Sequence, residues 1–402
     1  MSVSLKAQCG KAHVRAVAAL MRAVQRATLG AVVALALIAS AGTQAAAFET
    51  TAPTGILVDF GTGRVLFEKE ADKTIAPASL VKLMTVAVIF DELRKGTISR
   101  DDRFTVSEYA WRTGGAASGG STMFLPLNSE VSVDDLIKGI IIQSGNDATI
   151  VAAEGIAGSV DAFAAKMNAL GKQIGLTGSQ FANPHGLPDP DQYVTVRDLA
   201  KLAEYLIRTF PEEYPLFSEE SFTFNGITQR SRNPLLALGA DGLKTGHTSE
   251  AGYGLVASAQ RDGRRIILAI SGMQSADERA REARRLMEYG LQDFEEVVLI
   301  EAGEPVGEAV VRGGVAPTVA MTAEEELRLL VPRGSLADVK RVVVDNGPVE
   351  APVAAGQRLG WVRFERGEET LREVPLHAAQ PVEQAGLLQR IREALSEHLT
   401  WR

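Results

Sequence analysis

Cysteine is almost absent. The single copy, Cys9, precedes every segment that reads as a folded domain. A chain of 402 residues can do without disulfides, because a domain of this size buries enough surface on its own. Long apolar runs are missing too. The longest candidate, Leu29–Ala39, falls short of the roughly 20 residues that a membrane span needs. Positive charge is in deficit, with 42 Lys and Arg against 50 Asp and Glu and no basic patch, which argues against nucleic acid as a partner. The five histidines, His185 and His247 among them, show no metal-ligand spacing, so neither a metal nor another cofactor is expected.

What is present begins with a leader. Lys6, Lys11, Arg15, Arg22 and Arg26 stand in a stretch without acids, followed by the apolar run and then by Ala45-Ala46-Ala47. Basic, apolar, then small is the order of a secretory signal, here 1–47, with a later Met such as Met21 as an alternative start. Its removal takes five basic charges and moves the net charge from −8 to −13. An exported protein, periplasmic and peripheral on the outer face of the cytoplasmic membrane, is the expectation.

Downstream, Ile56–Val58 and Val65–Phe67 flank Gly61-Thr62-Gly63 and read as a hairpin. A buried helix is expected from Ser79 to Leu93, because its apolar residues cover most of its circumference. Helical patterns follow at Val133–Ile142, Ala148–Ile156, Val160–Leu170 and Val196–Ile207. A strand carrying Lys244 precedes a hairpin, Tyr253–Ala259 and Arg264–Ser271, and a closing helix spans Ala276–Tyr289. Early and late strands must share one sheet with the helical block inserted between them. That is an α/β architecture with antiparallel strands. Short alternating runs between Val297 and Val374 predict a small all-β domain, Pro375–Pro381 reads as a linker, and the last stretch reads as an amphipathic helix. The boundaries are then 48–291 for the larger domain, 292–377 for the β domain and 378–402 for the terminal helix. The apolar face of that helix suits a membrane surface; packing on the β domain or a partner is the alternative.

Three short motifs carry chemistry. Ser79-Leu80-Val81-Lys82 places a hydroxyl and an amine three residues apart on one helix face. A serine needs a base, and a lysine becomes one when burial and neighbouring positive charge lower its pKa. By itself the pair equally describes a capping serine and a surface lysine. Ser144-Gly145-Asn146 offers a second hydroxyl to pass a proton and an amide to hold a carbonyl or an ammonium. Ser231-Arg232-Asn233 has the same spacing, but Ser144 belongs to the helical block that should face the strands. Lys244-Thr245-Gly246 lies on a strand that can pair with an extended peptide, with Gly246 allowing close approach.

Ser-x-x-Lys, then Ser-x-Asn about 60 residues on, then Lys-Thr-Gly about 100 further, is the pattern of penicillin-binding proteins and class A β-lactamases. With Pro77–Thr85, Ser144–Ala148, Asn183–Leu187, Thr195–Asp198, Lys244–Thr248 and Ala251-Gly252-Tyr253, residues 50–290 resemble the low-molecular-mass D-alanyl-D-alanine carboxypeptidases. The middle motif reads Ser-Gly-Asn where those families often have Ser-Asp-Asn. The resemblance implies a transpeptidase-like domain with a five-stranded antiparallel sheet flanked by helices and an inserted helical lobe, then the small β domain and the terminal amphipathic helix. It implies Ser79 as acyl carrier, Lys82 as proton acceptor and Ser144 as relay. Asn146 would bind the substrate amide, Lys244 and Thr245 would hold the substrate with Gly246 and His247 beside them, and Arg232 would take the terminal carboxylate. The backbone N–H groups of Ser79 and His247 would form the oxyanion hole. The implied partners are peptidoglycan stem peptides ending in D-Ala-D-Ala and β-lactam antibiotics. A β-lactamase and a non-catalytic wall-binding scaffold are the competing readings.

Overall fold

The computed structural model describes residues 48–391. The leader and most of the expected terminal helix lie outside them; residues 387–391 form the first helical turn of that stretch.

The chain opens with the hairpin β1 (Thr54–Asp59) and β2 (Val65–Lys69), closed by Asp59, whose carboxylate accepts from the Thr62 N–H and hydroxyl. The helical lobe follows. Its first helix is α1 (Lys82–Lys95), stopped by Gly96 at φ +71, a left-handed conformation that favours glycine. Then come β3 (Arg103–Thr105), α2 (Glu108–Gly114), β4 (Glu130–Ser132), α3 (Val133–Lys138), α4 (Asn146–Ala157), α5 (Val160–Gln173) and α6 (Val196–Thr209). Ser107, Ser132, Ser159 and Thr195 each cap a helix by accepting from the N–H three residues on. A small hairpin, β5 (Ser221–Phe224) and β6 (Ile227–Arg230), turns on Asn225-Gly226, both at positive φ.

The strands β7 (Ala240–Thr248), β8 (Gly252–Arg261) and β9 (Arg264–Met273) complete the main sheet, and α7 (Ala276–Gln292) closes this part of the chain. The sheet has five antiparallel strands in the order β2-β1-β9-β8-β7, so early and late strands do pair, and β7 forms one edge. Adjacent residues of a strand face opposite sides. Ile56 and Ile267 point into the large core beneath the helical lobe, whereas Leu57 and Ile266 pack against Gly290 of α7. Helix α1 lies at the centre of that core. Leu83, Met84 and Val86 to Phe90 are all buried, each worth about 1.5–3 kcal/mol where the side chain is large.

From α7 to Ala378 the chain is strand apart from a 3₁₀ turn at Leu336–Asp338: β10 (Phe294–Ile300), β11 (Pro305–Arg312), β12 (Thr318–Thr322), β13 (Leu327–Pro332), β14 (Val339–Asp345), β15 (Val349–Glu350), β16 (Arg358–Arg366) and β17 (Glu369–Ala378). Six of these form a sheet in the order β14-β16-β17-β12-β11-β15, and β10 pairs with β13. They enclose a second core around Val311, Val319, Met321, Val362, Phe364 and Leu376. Arg264 ties the two parts together, bonding Asp59, the Gly290 carbonyl and the Phe294 carbonyl.

Three expectations need correction. The helix anticipated from Ser79 begins as a 3₁₀ turn, Ala78–Val81, and becomes α-helical at Lys82. The helix anticipated over Val133–Ile142 is α-helical only to Lys138 and continues as a π turn, Gly139–Gln143. The supposed linker Pro375–Pro381 is strand as far as Ala378, and Val382 is buried beside Val353. Proline is tolerated there because β17 pairs with β12 only at His377 and Ala378, which leaves Pro375 with a partner, Trp361, on one side alone.

Candidate active site

The 3₁₀ turn sets the central pair. Side chains three residues apart eclipse one another in such a turn. Lys82 Nζ lies 3.1 Å from Ser79 Oγ. Gly246 of β7 presses on this turn: a methyl at its Cα would sit 3.1 Å from the Pro77 carbonyl oxygen and 3.2 Å from the Leu80 nitrogen. Ala78, just before the serine, is held at φ +47, a strained conformation for a residue with a side chain.

Lys82 is fully buried, and its Nζ also donates to Asn146 Oδ1 at 2.8 Å and to the His185 carbonyl. Its pKa is held well below the ordinary lysine value, first by desolvation and then by the positive charges of Lys244 and Arg232. His185 is itself pushed down to about 3 by burial and by Lys82, so its imidazole is neutral; its Nδ1 accepts from the Leu187 N–H.

Asn146 opens α4, and Asp147 fixes that helix end. The Asp147 carboxylate accepts from the Thr122 hydroxyl and from the Met123, Leu125 and Ala148 N–H groups. The π turn widens the helix before it and delivers Ser144 in a left-handed conformation at φ +61. The Ser144 hydroxyl is buried and has no hydrogen-bond partner among the described residues. A buried hydroxyl left unbonded costs energy unless something else completes it, which is a reason to look for a role. The competing Ser231-Arg232-Asn233 is structural at its third residue: the Asn233 amide donates to the Gly242 carbonyl and accepts from the Leu235 N–H.

Ser79 opens on a cleft of about 690 Å³ lined also by Gly120, Ser121, Asn146, His185, Arg232, Thr245, Gly246, His247 and Arg279. Arg232 donates to the Ser121 hydroxyl at 2.6 Å and to the Gln143 carbonyl at 3.3 Å. Lys244 is not on the cleft wall. It is buried beneath, donates to the Thr245 carbonyl, and is pulled down to about 7 by burial, Arg232 and Arg279. His247 stacks on Tyr253 with centroids 3.9 Å apart, and the Arg279 guanidinium lies over the Tyr253 ring at 5.7 Å from its centroid.

Arg279 and Asp147 are functional candidates that sequence reasoning missed. Arg279 is buried apart from 8% of its surface, its Nε has no hydrogen-bond partner among the described residues, and its side chain reaches the cleft from α7. Nothing in its local sequence separates it from Arg281, Arg284 or Arg285. Asp147 had one readable signal, an acid in the first turn of a helix.

A serine beside a buried lysine whose pKa is held down, at the edge strand of an antiparallel sheet, defines a serine peptidase of the acyl-enzyme type. Residues 40–275 match the family model described as D-alanyl-D-alanine carboxypeptidase, and residues 294–384 match the penicillin-binding protein 5 C-terminal domain. The chain belongs to the D-alanyl-D-alanine carboxypeptidase family. It is 38% identical over 348 residues to D-alanyl-D-alanine carboxypeptidase DacA of Haemophilus influenzae, covering 85% of this chain and 88% of that protein. Among solved structures, penicillin binding protein 5 of Haemophilus influenzae matches with TM-score 0.69 and 38% identity over 84% of this chain and 99% of that one. The carboxypeptidase DacD of Francisella tularensis matches with TM-score 0.73 and 32% identity over 84% and 95%.

Proposed function

We propose that the enzyme removes the terminal D-alanine from peptidoglycan pentapeptide stems through an acyl-ester on Ser79. The observation that carries this reading is the 3.1 Å approach of Lys82 Nζ to Ser79 Oγ, where burial and the neighbouring positive charges of Lys244 and Arg232 lower the pKa of the amine. Lys82 takes the Ser79 proton as the oxygen attacks the carbonyl between the last two D-alanines. The Ser79 and His247 N–H groups stabilise the oxyanion. Ser144 passes the proton to the departing amine, and D-alanine leaves. Water then attacks the ester, its proton returns through Lys82, and the shortened peptide leaves with Ser79 restored.

Substrate is held at three places. The Asn146 amide meets a peptide group, the edge of β7 from Thr245 to His247 pairs with the extended chain, and Arg232 with Arg279 receives the terminal carboxylate. Lys244 acts mainly through its charge on Lys82. β-Lactams, whose strained amide copies the D-Ala-D-Ala bond, acylate the same serine. The enzyme works outside the cytoplasm, with the leader 1–47 removed and the terminal helix resting on the membrane surface.

Labelled penicillin and a diacylated tripeptide ending in D-Ala-D-Ala test the core of this reading. Wild-type protein is expected to form a covalent adduct and release D-alanine, and Ser79→Ala to do neither while melting at the wild-type temperature. An adduct on Ser79→Ala would remove the serine from its role.

A further inference from the structure

The six-stranded sheet of the β domain ends on β14. One side of this strand pairs with β16 along its whole length, from Val339 opposite Arg366 to Asp345 opposite Gly360. Among the described residues the other side has no hydrogen-bonded strand. Every residue from Lys340 to Asp345 is exposed. Val342, Val343 and Val344 are 36%, 38% and 37% exposed, the only run of three large apolar side chains so placed among the described residues. Neighbours in a strand face opposite ways, so valine shows on both faces. An open edge with apolar side chains on both faces is a template for another strand. The strand is not loose. Val343 also lies against β11, where a methyl on Gly307 would sit 3.3 Å from Val343 Cγ1.

The hydrogen-bond phase of this edge is fixed. The Asn346 N–H donates to the Leu359 carbonyl, so those two residues form a hydrogen-bonded pair. Pairs of that kind alternate along an antiparallel ladder. Val344, Val342 and Lys340 therefore turn their backbone groups to β16. Asp345, Val343, Arg341 and Val339 turn theirs to the open side. A strand that docks there must offer the same phase.

β14 itself is such a strand. Set antiparallel to a second copy about Val343, it brings outward residues only against outward residues. Val343 meets Val343 of the second copy, and Arg341 meets Asp345 twice by symmetry. On the opposite face Val342 meets Val344, and Lys340 meets Asn346. A register moved by two residues, centred on Val342, sets Arg341 against Val343 and Asp345 against Val339 and loses both charge pairs. Among the described residues neither Arg341 nor Asp345 has an ion pair within the chain; the Asp345 carboxylate accepts from the Gly347 N–H.

We propose that β14 is a self-pairing edge, through which two copies of this chain join antiparallel about a twofold axis at Val343, with Arg341 of each copy against Asp345 of the other. The contact is the same patch on both copies, so it closes at two. It covers the exposed valines and makes one continuous sheet of the two β domains. No residue lining the catalytic cleft belongs to it.

Sedimentation equilibrium of the purified protein over a range of concentrations is the test. Wild type is expected to dimerise reversibly. Val343→Pro removes an outward N–H and spares the bonds to β16, so it is expected to stay monomeric while keeping the wild-type rate of penicillin acylation and a urea midpoint near wild type. Arg341→Asp and Asp345→Arg each set like charges opposite one another and are expected to weaken the dimer by about tenfold, and the double exchange is expected to restore it. With Cys9→Ser, Val343→Cys is expected to oxidise to a disulfide-linked dimer, because the paired Cα atoms would lie about 5.5 Å apart. A wild type that stays monomeric would overturn the second copy as occupant and leave the edge to a different chain. A dimer that survives in Val343→Pro, or that the double exchange fails to restore, would overturn the pairing. A dimer untouched by Val343→Pro and abolished by removing residues 387–402 would assign the contact to the terminal helix and overturn it as well.

Discussion

Lys244→Met separates the stability of this fold from its chemistry. Lys244 is 96% removed from solvent by the residue's own exposure of 4%, and its pKa falls from 10.5 to about 7, with desolvation the largest cause. The unfolded chain therefore binds a proton that the folded chain releases between those two values. Stability conferred on the wild type rises with pH across that window, and the penalty is complete below pH 7. At about 1.4 kcal/mol for each pH unit between them, the two values give a penalty on the order of 5 kcal/mol. Methionine fills the same space without the charge. Urea unfolding at pH 6.5 and pH 10.5 is the assay. Lys244→Met is expected to gain on wild type by about 3–5 kcal/mol more at the lower pH than at the higher. The same substitution removes a positive neighbour of Lys82, so the Lys82 pKa rises and the acid limb of penicillin acylation moves to higher pH. A stability difference that stays constant with pH, or an acid limb that does not move, would refute the account of a buried, readily neutralised lysine.

Gly186→Ala should unfold at lower urea, by about 2 kcal/mol or more, and acylate more slowly; Gly186 sits at φ +86 and a methyl there would lie 2.0 Å from the carbonyl oxygen of Ala78, next to the nucleophile. Wild-type urea midpoint and acylation rate would show that the Ala78 turn gives way more easily than its packing implies. Arg279→Ala should raise KM about tenfold for a peptide ending in a free carboxylate and leave its C-terminal amide unaffected, consistent with loss of one charged hydrogen bond; equal effects on both would place Arg279 away from the carboxylate. His185, pushed down to about 3, should keep neutral-imidazole NMR shifts from pH 8 to pH 5, and titration near the ordinary histidine value would contradict its burial beside Lys82.

The catalytic pair was readable because Ser79 and Lys82 are local: three residues apart, any tight helical geometry brings them together. The order of strands was readable from the hairpin at Gly61-Thr62-Gly63 and from the late pair around Asp262-Gly263, since one sheet had to join them. The π turn at Gly139–Gln143 was not readable, because the apolar spacing of Ile140, Ile141 and Ile142 suits an α-helix equally well. It forms where Gly139 packs on Met123, a contact from another part of the chain. Arg279 was hidden for the same reason: α7 is a charged helix, and only its docking on β8 and β9 singles out one of its arginines. Asn225-Gly226 was a legible hairpin signal that went unread. Pro375 misled because proline in a strand is excluded only where both sides are paired.

The pairing of β1 with β9 has a consequence for how the protein is made. Thr54 bonds to Ser271, a partner 217 residues later in the chain. During synthesis β1 emerges early and has no partner on its β9 side until the chain has been made as far as Met273. Loop closure over that distance is slow. The half-built sheet therefore keeps an open edge until β9 arrives, which exposes it to wrong pairing in the meantime.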